Sequence, residues 1–253
     1  MPNRLPKKRI ISIDVSCGTY DEFVSAIMQQ AVARISSYVC VANVHMLLEA
    51  YDSTEFQTIV NDAFIVTPDG MPLAKGVQKV YKQHQVRVDG MSLLPNLLSE
   101  CEKDGLSVFF YGGTDNMLSK TADYVNQNYP NLNISGTYSP PFRPLTTVEM
   151  DEIAALITAS GANIVFVVLG CPKQERWMFA MKDKIPAVMI GIGGALPVLI
   201  GMQKRAPEWM QRNSLEWLYR LNQEPKRLFK RYFKTNSHFL YLVAKETLKR
   251  RSK

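Results

Sequence analysis

Short apolar runs alternate with longer stretches of helical period along most of the chain. The apolar runs are rich in β-branched and aromatic residues: IISIDV, YVCVAN, AFIVT, LSVFFYG, NIVFVVLG and AVMIGIG. Because they show no polar alternation, they predict strands covered on both faces, as in parallel sheets. Apolar spacings of three and four residues predict helices over 22–35, 91–103, 116–128 and 147–160. The repeated order of strand and helix predicts an α/β layered domain with a mainly parallel sheet.

The last fifty residues have a different pattern. Aromatic residues and cations recur there at helical spacing, and Pro225 is expected to divide two helices. A last helix is predicted over about 236–250. We place the boundary near 201–207, which divides the chain into a core (1–202) and a basic helical appendage (203–253).

The longest apolar run, residues 187–202, is too short to span a membrane as a helix. A spanning helix needs about 20 residues, and this run contains four glycines and a proline. We interpret it as a buried strand and turn, and predict neither a spanning segment nor a signal peptide. The four cysteines and three histidines are scattered without disulfide or metal-ligand spacing, which favours a reducing cytosol and no metal site.

Charge divides the chain at the same boundary. Residues 203–253 hold 14 lysines and arginines against four glutamates, a net charge of +10. Residues 1–202 hold 16 cationic and 19 acidic residues, a net charge of −3. This asymmetry indicates a polyanionic partner, either a nucleic acid or an anionic membrane.

Polar or glycine-rich groups follow five of the predicted strands, and ligands bind at the carboxyl ends of strands in open α/β sheets. The groups are Asn43, Pro68-Asp69-Gly70, Gly112-Gly113-Thr114, the segment 171–175 and Gly193-Gly194. Each could be only a turn or a helix cap. Five on one edge favour a binding site.

Two of these groups suggest particular chemistry. Asp69, held between a proline and a glycine, suits a general base, although turns also use such aspartates. Gly112 and Gly113 precede Thr114-Asp115 and could bring backbone amides and a helix N-terminus to a phosphate, or could form a plain turn.

Several familiar motifs are missing from the sequence: GxGxxG, Walker A, GxSxG and Asp-x-Asp. The lack of Asp-x-Asp removes the usual metal clamp of a nucleotide-sugar site. Arg87 and the basic appendage are then the available cations for a diphosphate.

Four segments together resemble the WecG/TagA/CpsF glycosyltransferases, glycosyltransferase family 26. They are TPDGMPL (67–73), GCPKQERW (170–177), GIGGALPVLIG (191–201) and RAPEWMQRNSLEWLYRLNQEPKRLFKRY (205–232). The resemblance covers nearly the whole chain, from about residue 10 to 232. It implies a Rossmann-like core with a basic C-terminal appendage that helps to form the site at the membrane.

The resemblance also implies an activity. Family members transfer a sugar, with inversion, from a UDP-sugar to a sugar linked to polyprenyl diphosphate, here expected to be undecaprenyl diphosphate, in the synthesis of cell-surface polysaccharides. No cofactor and no nucleic acid are expected, the location would be the cytoplasmic face of the cell membrane, and similar proteins self-associate.

The family's functional residues fall on matching positions of this chain. The aspartate base falls on Asp69, and residues of substrate binding fall on Asn43, Arg87, Gln174, Arg220, Arg227 and Lys230. Gly112 and Gly113 are added from the strand-end pattern.

The chain departs from the family pattern at three places. Val41 stands where many relatives have threonine, and Pro197 where many have aspartate. The segment SPPFRP (139–144) replaces a shorter loop, which suggests a different donor sugar.

Two other classes of function remain as alternatives. A nucleic-acid-binding protein would use the basic appendage but leave Asp69 without a role. A nucleotide-dependent oxidoreductase would lack its glycine fingerprint.

Overall fold

A computed structural model describes residues 4–212, 215–223, 225, 238, 239, 241 and 242. Its strands are β1 (Lys7–Ile10), β2 (Ile13–Ser16), β3 (Ser37–Ala42), β4 (Ile65–Pro68), β5 (Ser107–Gly112), β6 (Asn133–Tyr138), β7 (Ile164–Val168) and β8 (Val188–Gly191). Its helices are α1 (Tyr20–Val32), α2 (Val44–Asp52), α3 (Thr54–Asp62), α4 (Met71–Tyr81), α5 (Gly90–Asp104), α6 (Asp115–Asn128), α7 (Thr147–Ala159), α8 (Lys173–Met181), α9 (Ala195–Leu199), α10 (Glu208–Arg212) and α11 (Glu216–Gln223).

Six strands form one parallel sheet in the order β4-β3-β8-β7-β5-β6. Side chains alternate between its two faces: on β3, Tyr38 and Cys40 belong to one hydrophobic cluster, and Val39 and Val41 to the other. The first cluster is covered by α2, α3, α7 and α8, and the second by α1, α5 and α6. Burial on both faces explains why the strands read as unbroken apolar runs, and the α/β layered fold is confirmed.

The first predicted strand is in fact a hairpin. The run IISIDV turns at Ile11, whose φ of 53° places a β-branched residue in the left-handed region. β1 and β2 then pair antiparallel, apart from the main sheet. The apolar residues of the run are buried or half-buried on both sides of the turn. The sequence pattern therefore shows no break at Ile11 and predicts a single strand.

Other elements are additions to the prediction. β6 lies at an edge of the sheet and its residues are mostly half-exposed, so it lacks an apolar run. Helices α2, α3 and α4 were not predicted. The run 187–202 contains β8 as expected, but part of the expected turn is the short helix α9.

The described part of the appendage packs on the core. Ala206, just before α10, and Met210, within α10, are buried, and Leu242, in the predicted last helix, is buried within the first hydrophobic cluster. Among the described residues, no helix is long and apolar enough to cross a membrane.

Candidate active site

The carboxyl ends of all six parallel strands meet at one edge of the sheet, and the five predicted strand-end groups lie along it. Neighbouring strands lie about 4.8 Å apart, so the four spacings from β4 to β5 cover roughly 19 Å. The candidate residues therefore form three groups: one beyond β3 and β4, one between β7 and β8, and one beyond β5.

Asp69 and Asn43 are neighbours beyond β4 and β3. The Asp69 amide donates to the Ala42 carbonyl at 2.9 Å, which holds the turn against the end of β3. A Cβ atom on Gly70 would lie 3.6 Å from the Asn43 Cβ, so the turn packs directly on Asn43. The strand-end placement of both residues thus brings them together.

Asn43 begins helix α2. Its Oδ1 accepts the backbone amides of His45 and Met46 at 3.0 and 3.3 Å, a helix cap of the ordinary kind. Within the part of the chain that the structure describes, its Nδ2 group donates no hydrogen bond. The cap fixes the side chain and leaves two donors beside Asp69.

The Asp69 carboxylate lies between a helix N-terminus and a guanidinium. Its Oδ1 accepts from the amide of Gly90, the first residue of α5, at 3.4 Å, and lies 3.9 Å from a terminal nitrogen of Arg87. Both neighbours favour the charged carboxylate. The side chain is 23% exposed, so solvent or a ligand reaches it.

Arg87 joins this turn to the appendage. Its Nε donates to the Asp69 carbonyl at 2.6 Å, and its Nη2 pairs with Glu216 on α11. Burial alone would lower the pKa of Arg87, but the carboxylates of Asp69, Asp89 and Glu216 outweigh it and raise that pKa. The guanidinium therefore stays protonated and positively charged next to the candidate base.

Asp89 and Arg205 make a second contact between core and appendage. Asp89 caps α5 by accepting the Ser92 amide at 3.1 Å, and it accepts from Arg205 Nη2 at 3.3 Å. The same Arg205 nitrogen donates to Ser92 Oγ at 3.1 Å. The sequence pattern points to none of these three residues, nor to Glu216. Only Asp89 carries a local signal, an aspartate at the start of a helical stretch.

Gln174 fills the space between the ends of β7 and β8. Its Oε1 accepts the Gly170 amide at 3.2 Å and its Nε2 donates to Glu175 Oε1 at 2.8 Å. A Cβ atom on Gly191 would lie only 2.8 Å from Nε2, so a side chain at position 191 would push the Gln174 amide out of this place. Gln174 is only 4% exposed, and in this structure its amide serves the protein's own hydrogen bonds.

Glu175 is a carboxylate with no exposed surface. Burial raises its pKa from the ordinary value of 4.5 to about 7, although hydrogen bonds from Gln174 and Cys171 act in the opposite direction. Its Oε2 has no hydrogen-bond partner in the described residues. Such a group is costly to keep charged.

The glycine pair beyond β5 is a sharp turn. Gly112 and Gly113 have φ values of 104° and 77°, and a Cβ on Gly112 would lie 2.6 Å from the Val168 carbonyl oxygen. The Gly113 amide already donates to that oxygen at 3.0 Å, so it is occupied. Thr114 caps α6 by accepting the Met117 amide at 3.3 Å, which leaves the first amides of α6 facing the strand ends.

A crevice between β5 and β7 is a topological switch point. α6 follows β5 on one face of the sheet and α8 follows β7 on the opposite face, so the chain leaves these neighbouring strands in opposite directions. Ligands of open α/β sheets bind at such points. The end of β5, which carries the glycine pair, lies four strand spacings, roughly 19 Å, from the end of β4, which carries Asp69.

Two of the three family departures, Val41 and Pro197, are buried. Val41 is 8% exposed, and its Cγ1 would lie 3.4 Å from a Cβ on Gly90. Pro197 lies buried in α9. The SPPFRP segment follows β6, where Ser139 Oγ donates to the Gly113 carbonyl at 2.9 Å and Phe142 is 91% exposed.

The appendage cations are only partly described. Arg220 lies in α11, one turn after Glu216. Arg227 and Lys230 lie outside the described residues. Over the described ranges, no cluster of three or more histidine, cysteine, aspartate or glutamate side chains could hold a metal ion.

Comparison with known proteins identifies the class of this fold and site. The model of the WecG/TagA/CpsF family of glycosyltransferases matches residues 8–253. A Bacillus spizizenii protein described as N-acetylglucosaminyldiphosphoundecaprenol N-acetyl-beta-D-mannosaminyltransferase is 32% identical over 192 residues, which cover 76% of this chain and 73% of that protein. The chain belongs to the WecG/TagA/CpsF glycosyltransferase family, as its motifs indicated.

A test of the buried carboxylate follows from its pKa. Because the folded protein keeps the Glu175 proton up to about pH 7, while the unfolded chain releases it near pH 4.5, the free energy of unfolding should fall as pH rises through that window. The full effect is on the order of 3 kcal/mol. Glu175→Gln keeps an acceptor for Gln174 but carries no charge. In urea denaturation, the free energy of unfolding of this variant relative to the wild type should therefore be higher at pH 8 than at pH 5. Glu152→Gln, at an exposed position, should show no such change; equal pH trends in wild type and Glu175→Gln would contradict the assignment.

Proposed function

We propose that the protein transfers a hexose-type sugar from a UDP-sugar to a sugar linked to polyprenyl diphosphate, with inversion, in the synthesis of a bacterial cell-surface polysaccharide. Family membership and the activity described for the Bacillus relative support the class of reaction. The observation that carries the proposal is the half-exposed Asp69 carboxylate, held at a strand end by α5 and Arg87.

Asp69 acts as the general base. The acceptor hydroxyl gives its proton to Asp69 while its oxygen forms a bond to the anomeric carbon of the donor. The bond from that carbon to the diphosphate oxygen breaks on the opposite face, and UDP leaves with the bonding electrons. Attack from the opposite face inverts the configuration at the anomeric carbon.

The donor lies across the strand ends. Its uridine end occupies the crevice between β5 and β7 near Gly112 and Gly113, and its sugar reaches towards Asp69. The separation of roughly 19 Å between the two ends favours an extended ligand over one compact phosphate site. The first amides of α6 face the nucleotide end.

Phosphate charge is neutralised by arginine and lysine side chains and not by a metal ion. Arg87 lies beside the candidate base, and Asn43 adds amide donors there. Arg220, Arg227 and Lys230 of the appendage complete the cationic side of the site, as their family positions imply. The lack of an Asp-x-Asp sequence supports a metal-independent reaction. Gln174 supports the turns between β7 and β8 on which the ligand rests.

The appendage, residues 203–253, also holds the protein on the inner face of the cell membrane. Its net charge of +10 contrasts with −3 for the core, and its exposed Trp209 and Trp217 suit the headgroup level of a bilayer. An acceptor with a polyprenyl chain stays in the membrane, so a site edge close to the anionic leaflet would shorten the search for it. Such a location is cytoplasmic and peripheral.

A transfer assay tests the reaction. Purified protein incubated with a panel of labelled UDP-sugars and a short-chain lipid-diphosphate sugar should yield a labelled lipid product with inverted anomeric configuration. The same yield is expected in EDTA, since arginines supply the counter-charge. Failure to transfer any sugar of the panel would contradict the reaction, and loss in chelator with recovery in Mg²⁺ or Mn²⁺ would contradict its metal independence.

The role of Asp69 has its own test. Asp69→Asn preserves size and keeps the acceptor for the Gly90 amide, but it removes the base, so the transfer rate should fall by about 10²–10⁴-fold. The melting temperature should change little, because the side chain is part-exposed. A variant that transfers sugar at the wild-type rate would leave Asp69 as a turn residue only.

Membrane binding can be tested by charge neutralisation within the appendage. Near an anionic surface each exposed cation contributes about 1 kcal/mol, so neutralising Lys245, Lys249 and Arg250 together with glutamine should weaken binding to phosphatidylglycerol vesicles by about 100-fold. The matched control neutralises Lys75, Lys79 and Lys120, which are exposed on the core. Sedimentation that changes equally in both triple variants would argue against the appendage as the membrane contact.

A further inference from the structure

Three carboxylates surround the guanidinium of Arg87: those of Asp69, Asp89 and Glu216. Arg205, which contacts Asp89, is the other cation described in this cluster. Counting these five side chains gives a net charge of −1. Each of these carboxylates competes with the negative charge of a diphosphate for the two cations described here.

Glu216 is the member of this cluster that belongs to the appendage. Its Oε2 accepts from Arg87 Nη2, while its Oε1 is buried without a hydrogen-bond partner among the described residues. The side chain is 18% exposed and Arg87 is 13% exposed, so the pair is largely removed from water. One cation therefore holds the Glu216 carboxylate in the site, where only one of its two oxygens accepts a hydrogen bond.

Carboxylate and phosphate groups bind a guanidinium in the same way, through oxygens that accept from its terminal nitrogens. Arg87 Nε is already committed to the Asp69 carbonyl, so its terminal nitrogens are what it can offer to a ligand. Glu216 occupies one of them. A phosphate that binds both terminal nitrogens, as bidentate arginine–phosphate pairs do, therefore competes with Glu216 for Nη2.

We propose that Glu216 is a determinant of substrate affinity: it pairs with Arg87 in the empty enzyme and is displaced when a substrate phosphate binds there. This inference rests on the proposed function, in which Arg87 binds phosphate. Release of Glu216 changes the net charge of the remaining four side chains to zero. Exchange of one anion for another makes the site specific for ligands that can replace a carboxylate at Arg87.

Other contacts remain when Glu216 leaves: one joins the appendage to the core, and two lie within the appendage. Arg205 remains paired with Asp89, and Gln223 Nε2 donates to the Lys204 carbonyl at 3.2 Å. The Leu215 amide, just before α11, donates to the Met210 carbonyl at 2.8 Å. The pair between Glu216 and Arg87 is therefore not needed to keep the first helices of the appendage together, and its loss should not unfold them.

Calorimetric titration of the full-length protein tests the proposal with two phosphate probes. UDP represents the donor and farnesyl diphosphate, below its micelle concentration, represents the lipid acceptor. Suppose that Glu216 is paired with Arg87 in about nine-tenths of the empty enzyme, so that only about one-tenth can bind phosphate there. Glu216→Gln should then tighten binding about tenfold for the probe that uses Arg87. The probe that gains affinity identifies which substrate places its phosphate there. Glu152→Gln, which removes an exposed negative charge elsewhere, should leave both affinities unchanged.

The gain must depend on Arg87. In an Arg87→Gln background, Glu216→Gln should give no tightening, because the donors in competition are gone. Glu216→Asp keeps the charge on a shorter side chain, so its affinity should lie between those of wild type and Glu216→Gln. This variant also serves as the test if Glu216→Gln proves unstable in a melting experiment.

The outcomes separate the inference from the proposed function. Unchanged or weaker binding of both probes by Glu216→Gln, with UDP still bound by the wild type, overturns the role of Glu216 alone. Wild-type protein that binds neither probe overturns both the phosphate assignment of Arg87 and the inference that rests on it.

Discussion

The charge of Arg87 connects the parts of this protein on which the candidate chemistry depends. Its Nε fixes the backbone of the turn that carries Asp69, and its terminal nitrogen reaches Glu216 on the appendage. Burial of an arginine is costly, and three carboxylates compensate for it here. The geometry of the candidate base, the start of α5 and the docking of the appendage are therefore coupled electrostatically. Removal of the charge on any one of these carboxylates would change the electrostatic interaction of the other two with Arg87.

The parallel sheet explains why so much of the site could be predicted. Strands buried on both faces must be apolar throughout, so their ends are visible in the sequence, and parallel strands place those ends on one edge. Asn43, Asp69 and Gln174 were located in this way. The same reasoning could not give the order of the strands, which puts Gly112 on β5 and Asp69 beyond β4 four strand spacings apart.

What the sequence did not predict depends on contacts between distant residues. Glu216 and Arg87 are 129 positions apart, and no local pattern relates them. The turn at Ile11 opposes the usual preference of a β-branched residue, so only packing in the folded protein determines it. β6 is stabilised by pairing with β5 at an exposed edge, which needs no apolar run. Each of these features follows from tertiary structure and not from the preference of a short segment.

Two acidic residues near the strand ends illustrate how burial decides the role of a carboxylate. Asp69 is part-exposed and lies against a helix N-terminus and a guanidinium, which favour its charged form. Glu175 has no exposed surface and only amide and thiol neighbours, so burial raises its pKa to about 7. A base must be ionised when the acceptor hydroxyl arrives, and it must be reached by that hydroxyl. Of these two carboxylates Asp69 is the one that a hydroxyl can reach, whereas Glu175 is buried and holds the Gln174 amide between β7 and β8.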